Sequence, residues 1–109
     1  MTTANNEANR DFEQEIVQTL KTIYDPEIPV NIHDLGLIYS IDIADLPLVH
    51  ILMTLTSPNC PMTDVIMYQI ENRVKLIEGI DEVSVEITFD PPWDKDMISE
   101  EGKLHLGFL

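Results

Sequence analysis

The segment that decides the fold of this 109-residue chain reads Thr54-Leu55-Thr56-Ser57-Pro58-Asn59-Cys60-Pro61. It follows the most apolar run of the sequence, contains the only cysteine and precedes a stretch with helical periodicity. Pro61 suits the first position of a helix, because its missing N–H would have no partner there. We therefore predict that Cys60 is the N-cap or its neighbour, where the helix dipole favours the thiolate.

Two opposing interpretations apply to Cys60. Free cysteine is often a buried, unreactive residue that packs like a small hydrophobe. Its neighbours Pro58, Asn59 and Pro61 are loop formers rather than core residues, which favours an exposed and reactive thiol. Nearby carboxylates would oppose ionisation of the thiol. The residues by themselves leave this balance open.

A first helix is predicted to begin at Phe12 and to stop by Asp25, because Pro26 disfavours the helical conformation in the residue before it. Its apolar positions fall on one stripe of a helix: Phe12, Ile16, Val17, Leu20, Ile23 and Tyr24. The following residues, 24 to 30, are rich in proline and are predicted to form an ordered extended loop. Asp34 is a plausible turn former, and Gly36 is predicted to take a positive φ before the first strand.

Alternating apolar residues predict a first strand over residues 37 to 43 and a second over residues 48 to 56, joined as a hairpin at Pro47. The second strand has a mixed second face, which is typical of a central strand partly covered on both sides. A second helix is predicted to follow Cys60 and to end at Gly79, and a third strand covers residues 83 to 89. A short last helix begins after Ser99 and ends near Gly107.

This order predicts an α+β fold, a two-layer sandwich with helices on one face of a small mixed or antiparallel sheet. The elements follow as helix, strand, strand, helix and strand, with a short C-terminal helix. Residues 1 to 109 are expected to form a single domain, of which residues 1 to 6 are a flexible tail.

The composition argues against several classes of function. Twenty acidic residues against six lysines and arginines give a formal net charge of −14, which disfavours binding to nucleic acid and to anionic membranes. The sequence contains no apolar run long enough for a membrane span and no secretory signal pattern, so a cytoplasmic location is expected. One cysteine per chain cannot form an internal disulfide and cannot by itself hold a cluster that needs four thiolates.

Other candidate groups carry weaker signals. Asp25 and Glu27 could supply oxygen ligands or a general base if their loop folds over the cysteine, although loop carboxylates more often serve only solvation. The three histidines have no spacing that indicates a shared metal site, and each is expected to be structural. Trp93, set behind two prolines, is expected to pack over the edge of the sheet.

Four blocks of sequence carry a resemblance to a known family. They are Asp25-Pro26-Glu27-Ile28-Pro29-Val30, Asp34-Leu35-Gly36-Leu37-Ile38-Tyr39, Met53-Thr54-Leu55-Thr56-Ser57-Pro58-Asn59-Cys60-Pro61 and Phe89-Asp90-Pro91-Pro92-Trp93. In this order they resemble the SufT and PaaD-like family of iron-sulfur cluster assembly factors. The C-terminal region is most similar to the SufT branch, because it lacks the cysteine-rich zinc region usual in the PaaD branch.

The resemblance implies an accessory factor in iron-sulfur protein maturation, not an enzyme, with Cys60 as its functional thiol. It places the family's acidic pair on Asp25 and Glu27 and its hydroxyl residues on Thr56 and Ser57. No permanent cofactor is implied. Since each chain has one thiolate, a transient cluster or iron would be bound by Cys60, with Asp25 or Glu27 as further ligands, or shared between chains of a homodimer or with a partner. The implied partners are SUF assembly components and apo iron-sulfur proteins.

Two other functions remain open. The first is a metal-free adaptor that links the assembly machinery to clients through its acidic surface and the region of Pro92 and Trp93. The second is a thiol redox enzyme, although the sequence has no resolving cysteine and no paired histidine.

Overall fold

A computed structural model describes residues 11–25, 28–56 and 62–107 of the chain. The elements follow in the order α1 (Phe12–Leu20), β1 (Ile38–Asp42), β2 (Leu48–Met53), α2 (Thr63–Lys75), β3 (Glu82–Ile87), a 3-10 turn (Lys95–Met97) and α3 (Glu100–Leu106). The predicted order of elements is confirmed. The predicted tail, residues 1 to 6, lies outside the described residues.

The three strands form one mixed sheet with β2 in the centre. β1 runs antiparallel to β2, with Ile41 opposite Ile51, and an irregularity lies between Ile38 and Ser40. β3 runs parallel to β2, with Val85 opposite Ile51. Because parallel neighbours need a crossover, α2 carries the chain from the end of β2 to the start of β3. The carboxyl ends of β2 and β3 therefore lie at the same edge of the sheet.

The helices cover one face of this sheet, as the α+β prediction required. The core forms where β2 presents every second residue to the stripes of α1 and α2. Its buried residues from these elements are Val49, Ile51, Met53, Ile16, Leu20, Ile66, Ile70 and Val74. The opposite face of β2 carries His50, whose Nε2 lies 3.2 Å from Oε1 of Glu86 on β3. This face is partly covered, as predicted for β2.

Several predicted boundaries are wrong. α1 ends at Leu20, because Ile23 leaves the helix and its carbonyl oxygen accepts a hydrogen bond from the Ile32 N–H at 2.8 Å. β2 ends at Met53 rather than at residue 56, and β3 ends at Ile87. α2 ends at Lys75, four residues before Gly79.

The last helix is confirmed together with its caps. The Ser99 side chain accepts a hydrogen bond from the Gly102 N–H at 3.1 Å, which satisfies one of the free donors at the start of α3. Gly107 ends α3 in the left-handed conformation, with a φ of 83°. Within residues 11–25, 28–56 and 62–107, no helix has the length and apolar character needed to cross a membrane.

Candidate functional site

The carboxyl end of β2 is held by backbone hydrogen bonds on both sides. The Thr54 N–H donates to the Leu37 carbonyl oxygen at 2.8 Å, and the Thr88 N–H donates to the Met53 carbonyl oxygen at 2.8 Å. Thr54 and Leu55 are both buried. The chain that leads to Cys60 therefore starts from a fixed position between the segments that adjoin β1 and β3.

The loop after α1 is organised by Asp25, which is only 4% exposed. Its Oδ1 accepts a hydrogen bond from the Ile28 N–H at 3.0 Å, and its own N–H donates to the Val30 carbonyl oxygen at 3.3 Å. Tyr24 and Asn31 pair across the base of the loop in an isolated bridge. The expectation that Asp25 serves only to solvate a loop is wrong, because its carboxylate is buried and holds a turn together.

Consecutive hydrogen bonds connect this loop to the end of β2. The Ile32 N–H donates to the Ile23 carbonyl oxygen at 2.8 Å, and the Leu37 N–H donates to the Ile32 carbonyl oxygen at 3.2 Å. Leu37 in turn accepts the bond from Thr54. Because hydrogen-bonded backbone segments lie about 5 Å apart, the loop with Asp25 and the end of β2 belong to one small region of the fold.

The segment after β3 completes this region. The indole Nε1 of Trp93 donates to the Leu35 carbonyl oxygen at 2.6 Å, and the hydroxyl of Tyr39 donates to the Pro91 carbonyl oxygen at 2.7 Å. Trp93 is partly buried and packs against the core. Gly36 has the predicted positive φ, 83°, and a Cβ there would lie 2.4 Å from the Met97 carbonyl oxygen.

Thr54 carries a polar group that the sequence did not mark as special. Its side chain is fully buried, and its Oγ1 has no hydrogen-bond partner in the described part of the chain. A buried hydroxyl without a partner destabilises the folded state by about 1–3 kcal/mol. The high β-strand propensity of threonine was enough to account for Thr54 in the sequence. Only the three-dimensional structure reveals that its hydroxyl is unsatisfied.

The described residues of the four blocks thus belong to one hydrogen-bonded region at the end of β2. The iron-sulfur cluster assembly protein family matches residues 13–87, which is more than half of the chain. The chain belongs to this family. The resemblance inferred from the four blocks is confirmed.

Individual proteins agree with the family assignment. A Porphyromonas gingivalis protein named Fe-S protein maturation auxiliary factor is 50% identical over 97 residues, covering 89% of this chain and 92% of that protein. A Staphylococcus aureus protein named Fe-S protein maturation auxiliary factor SufT is 39% identical over 85 residues, covering 78% of this chain and 97% of that protein. The crystal structure of a domain of unknown function, DUF59, from Bacillus anthracis has a TM-score of 0.81 at 31% identity, covering 99% of this chain and 100% of that one. The fold is therefore the α+β fold of these relatives.

The predicted site residues of this iron-sulfur cluster assembly protein fall into two groups. Asp25 and Thr56 are described, the first buried and the second partly buried just beyond β2. Glu27, Ser57 and Cys60 lie outside the described residues.

The predicted start of α2 at Pro61 is wrong. Met62 is the N-cap and Thr63 is the first helical residue, because the first helical bond runs from the Ile66 N–H to the Met62 carbonyl oxygen. Cys60 therefore precedes the N-cap by two residues. Cys60 itself lies outside the described residues, so the effect of the helix dipole on its thiolate stays a prediction.

Metal-ligating side chains are not grouped in the described ranges. There, no three His, Cys, Asp or Glu side chains are placed to hold a metal ion together. His50 is paired with Glu86, and Nδ1 of His33 lies 3.8 Å from Oδ1 of Asp34. The described residues of the site supply hydrogen bonds and shape, whereas the candidate sulfur ligand belongs to residues 57 to 61.

Proposed function

We propose that this protein is an accessory factor in iron-sulfur protein maturation, and that it passes iron or a cluster to apo-proteins through the Cys60 thiolate. It acts as an assembly or carrier factor rather than as an enzyme with turnover. Its partners are SUF assembly components and apo-proteins in the cytoplasm. The names of the related proteins, Fe-S protein maturation auxiliary factors, support this role.

The convergence of the described parts of the four blocks at one end of the sheet carries this proposal. Leu35 and Trp93, which are 58 positions apart, are joined by a side-chain hydrogen bond, and Leu37 is joined to Thr54 through the backbone. Their meeting fixes the point from which the cysteine segment leaves β2, as a transient ligand requires.

The chemistry of the proposed transfer is ligand exchange at iron. The Cys60 thiol releases its proton when it binds iron, because the thiolate is the ligand. Thiolates of the apo-protein then displace Cys60, which takes a proton back from water, and no net oxidation occurs. With one thiolate per chain, the remaining positions on iron are filled by a second copy, a partner or a small thiol.

Four other residues have supporting roles in this proposal. Asp25 maintains the turn that carries Glu27, since its Oδ1 binds the Ile28 N–H at 3.0 Å. Glu27 is then the better candidate for an oxygen ligand or a base. Thr56 and Ser57 would donate hydrogen bonds to sulfur, which stabilise a thiolate or a bound cluster.

A cellular assay tests the role of Cys60. Cells that lack the protein are supplied with the wild type, Cys60→Ser or Cys60→Ala, and the activity of iron-sulfur enzymes is measured at equal protein levels. We expect both variants to lose support of these enzymes. Asn59→Ala, which leaves the thiol and its proposed hydrogen-bond donors in place, is the matched control for a change in the same segment and should retain most of the activity.

Anaerobic reconstitution separates the proposed carrier from its alternatives. Purified wild type is incubated with iron, sulfide and a small thiol, and absorption spectra and native masses are compared with those of Cys60→Ser. Full cellular activity of Cys60→Ser would overturn the ligand role in favour of the metal-free adaptor. Catalytic reduction of peroxide by the purified protein would instead favour the thiol redox enzyme.

A further inference from the structure

A cavity of about 190 Å³ lies between the loop after α1 and helix α3, formed by residues far apart in the sequence. Its polar lining comes from Tyr24, Asn31, Asp34, Glu101 and His105. Val30 and Gly102 also line it. A Cβ on Gly102 would lie 2.8 Å from Cγ2 of Ile98 and 3.3 Å from Val30, so the absent side chain allows α3 to approach the loop.

Asp34, which lines this cavity, is buried and forms no close ion pair with a lysine or arginine among the described residues. Asp34 is 9% exposed, and its Oδ2 accepts a hydrogen bond from Nδ2 of Asn31 at 2.8 Å. Among the described residues, no lysine or arginine nitrogen lies within 4.0 Å of its oxygens, and Nδ1 of His33 lies 3.8 Å from its Oδ1. Buried charges in proteins are normally paired with an opposite charge or with a metal.

Burial by itself would raise the pKa of the Asp34 carboxyl, but other contributions outweigh it. Hydrogen bonds from Asn31 and Ser99 and the charges of Lys21 and His33 keep this pKa below its ordinary value. Asp34 is therefore ionised at neutral pH. Glu101, on the other wall, is the second acidic residue that lines the cavity.

The size of the cavity restricts the class of ligand. Sites for cofactors and drug-sized ligands enclose about 300–1,000 Å³, so this cavity suits a group no larger than one side chain. Hard divalent cations require six or more oxygen ligands, and the described residues do not form a group of three metal-ligating side chains. A planar organic cation is a better fit, because it needs few acceptors and can stack on an aromatic ring.

We propose that this cavity binds the guanidinium group of an arginine side chain on a partner protein. The Asp34 and Glu101 carboxylates accept the guanidinium N–H donors, and the ring of Tyr24, which is 56% exposed, covers its flat face. Val30 contacts the apolar stem. The net charge of −14 attracts a cationic partner and thereby accelerates the encounter.

This site is independent of the proposed role of Cys60. The residues that line the cavity belong to the first loop and α3, and none of them belongs to residues 57 to 61. Cys60→Ser should therefore bind arginine as tightly as the wild type. Failure of one proposal leaves the other unaffected.

An NMR titration of the isotope-labelled full chain at 0.15 M salt with EDTA present tests the site. The probes are N-acetylarginine amide and N-acetylcitrulline amide, which has nearly the same shape without the charge. We expect saturable shifts of the Asn31, Asp34 and Gly102 amide signals with the arginine probe only. Linear shifts, or equal shifts with citrulline, would overturn the proposal.

Two neighbouring carboxylates provide matched variants. Glu101→Gln and Glu100→Gln each remove one negative charge from the first turn of α3, but only Glu101 lines the cavity. Glu101→Gln should weaken binding of the arginine probe by about tenfold, the loss expected for one charge-assisted hydrogen bond, and Glu100→Gln by less than about twofold. Equal losses of affinity in the two variants would mean that the acidic surface in general attracts the arginine probe, and this result would overturn the proposed site.

A second comparison identifies the source of the guanidinium group. Free arginine carries an α-carboxylate and an α-ammonium group that an arginine within a peptide lacks, and the lining residues include no lysine or arginine to bind the α-carboxylate. We expect N-acetylarginine amide to bind more tightly than free arginine at the same pH. Tighter binding of free arginine would overturn the assignment to a protein partner and indicate a small metabolite instead.

Discussion

The indole nitrogen of Trp93 lies 2.6 Å from the carbonyl oxygen of Leu35 and donates a hydrogen bond to it. This contact ties the segment after β3 to the turn that precedes β1. It is reinforced by Ser99, whose N–H donates to the Asp34 carbonyl oxygen at 2.7 Å. The turn at residues 34 to 36 is therefore fixed from the C-terminal part of the chain, and both walls of the arginine cavity depend on it.

Trp93→Phe should lower the free energy of unfolding by about 1–3 kcal/mol, because the buried Leu35 carbonyl loses its donor and the smaller ring leaves a gap. Urea unfolding monitored by circular dichroism measures the change. Tyr39→Phe is the matched control, since it removes a hydrogen bond to the Pro91 carbonyl oxygen at a more exposed position. Its effect should be smaller, at about 0.5–1 kcal/mol. A larger loss in Tyr39→Phe would contradict this order.

Gly36→Ala should be much more destabilising than Gly107→Ala. Both glycines have a φ of 83°, so each alanine brings the same backbone strain of about 1–2 kcal/mol. At Gly36 the new Cβ would also lie 2.4 Å from a backbone oxygen of Met97, whereas at Gly107 nothing lies within 4 Å. Thermal unfolding of the two variants measures the difference, which we expect to exceed about 2 kcal/mol. Equal losses would mean that strain alone acts at both positions.

The elements of the fold could be predicted because apolar spacing reports directly on packing. Val83, Val85 and Ile87 alternate on β3, and Ser99 and Gly107 mark the ends of α3 by their capping chemistry. The ends of α1 and α2 could not be predicted in this way. Ile23 is fully buried although it lies beyond α1, so an apolar residue outside a helix extends the pattern that the helix began.

The site was less accessible to sequence reasoning. A local pattern states which face of an element is apolar, but not which distant segments meet. Nothing in the sequence indicates that Glu101 faces the loop of Asp34. Asp25 could be named as a candidate because it is a carboxylate in a proline-rich loop. Its burial could not be predicted, because it accompanies a hydrogen bond from the Ile28 N–H that forms only in the folded chain.

Asp34→Asn should reduce the dependence of stability on pH in the acid range. The pKa of Asp34 is lowered in the folded state, so the unfolded state binds more protons and stability rises with pH. The contribution is complete above the ordinary aspartate pKa of about 3.9 and is lost as the pH falls through the folded-state pKa. Urea unfolding between pH 2 and 6 measures it.

The matched control for Asp34→Asn is Asp96→Asn. Asp96 is exposed and lies in the 3-10 turn, so its substitution should leave the pH profile nearly unchanged. Equally steep acid profiles for Asp34→Asn and the wild type would mean that other carboxylates cause the loss of stability in acid.

Thr54→Val should maintain or increase stability while it impairs the proposed function. The hydroxyl of Thr54 is buried without a partner among the described residues, and valine has nearly the same shape without the unsatisfied oxygen. The free energy of unfolding should therefore rise by up to about 1–3 kcal/mol. Thr56→Val, at a partly exposed position, should change it by less than about 0.5 kcal/mol.

Because an unsatisfied buried group usually has a functional reason, Thr54→Val should also slow the maturation of iron-sulfur enzymes in cells. A loss of stability in Thr54→Val would show that the hydroxyl is bonded in the folded protein, and full cellular activity would show that β2 needs only the shape of threonine there.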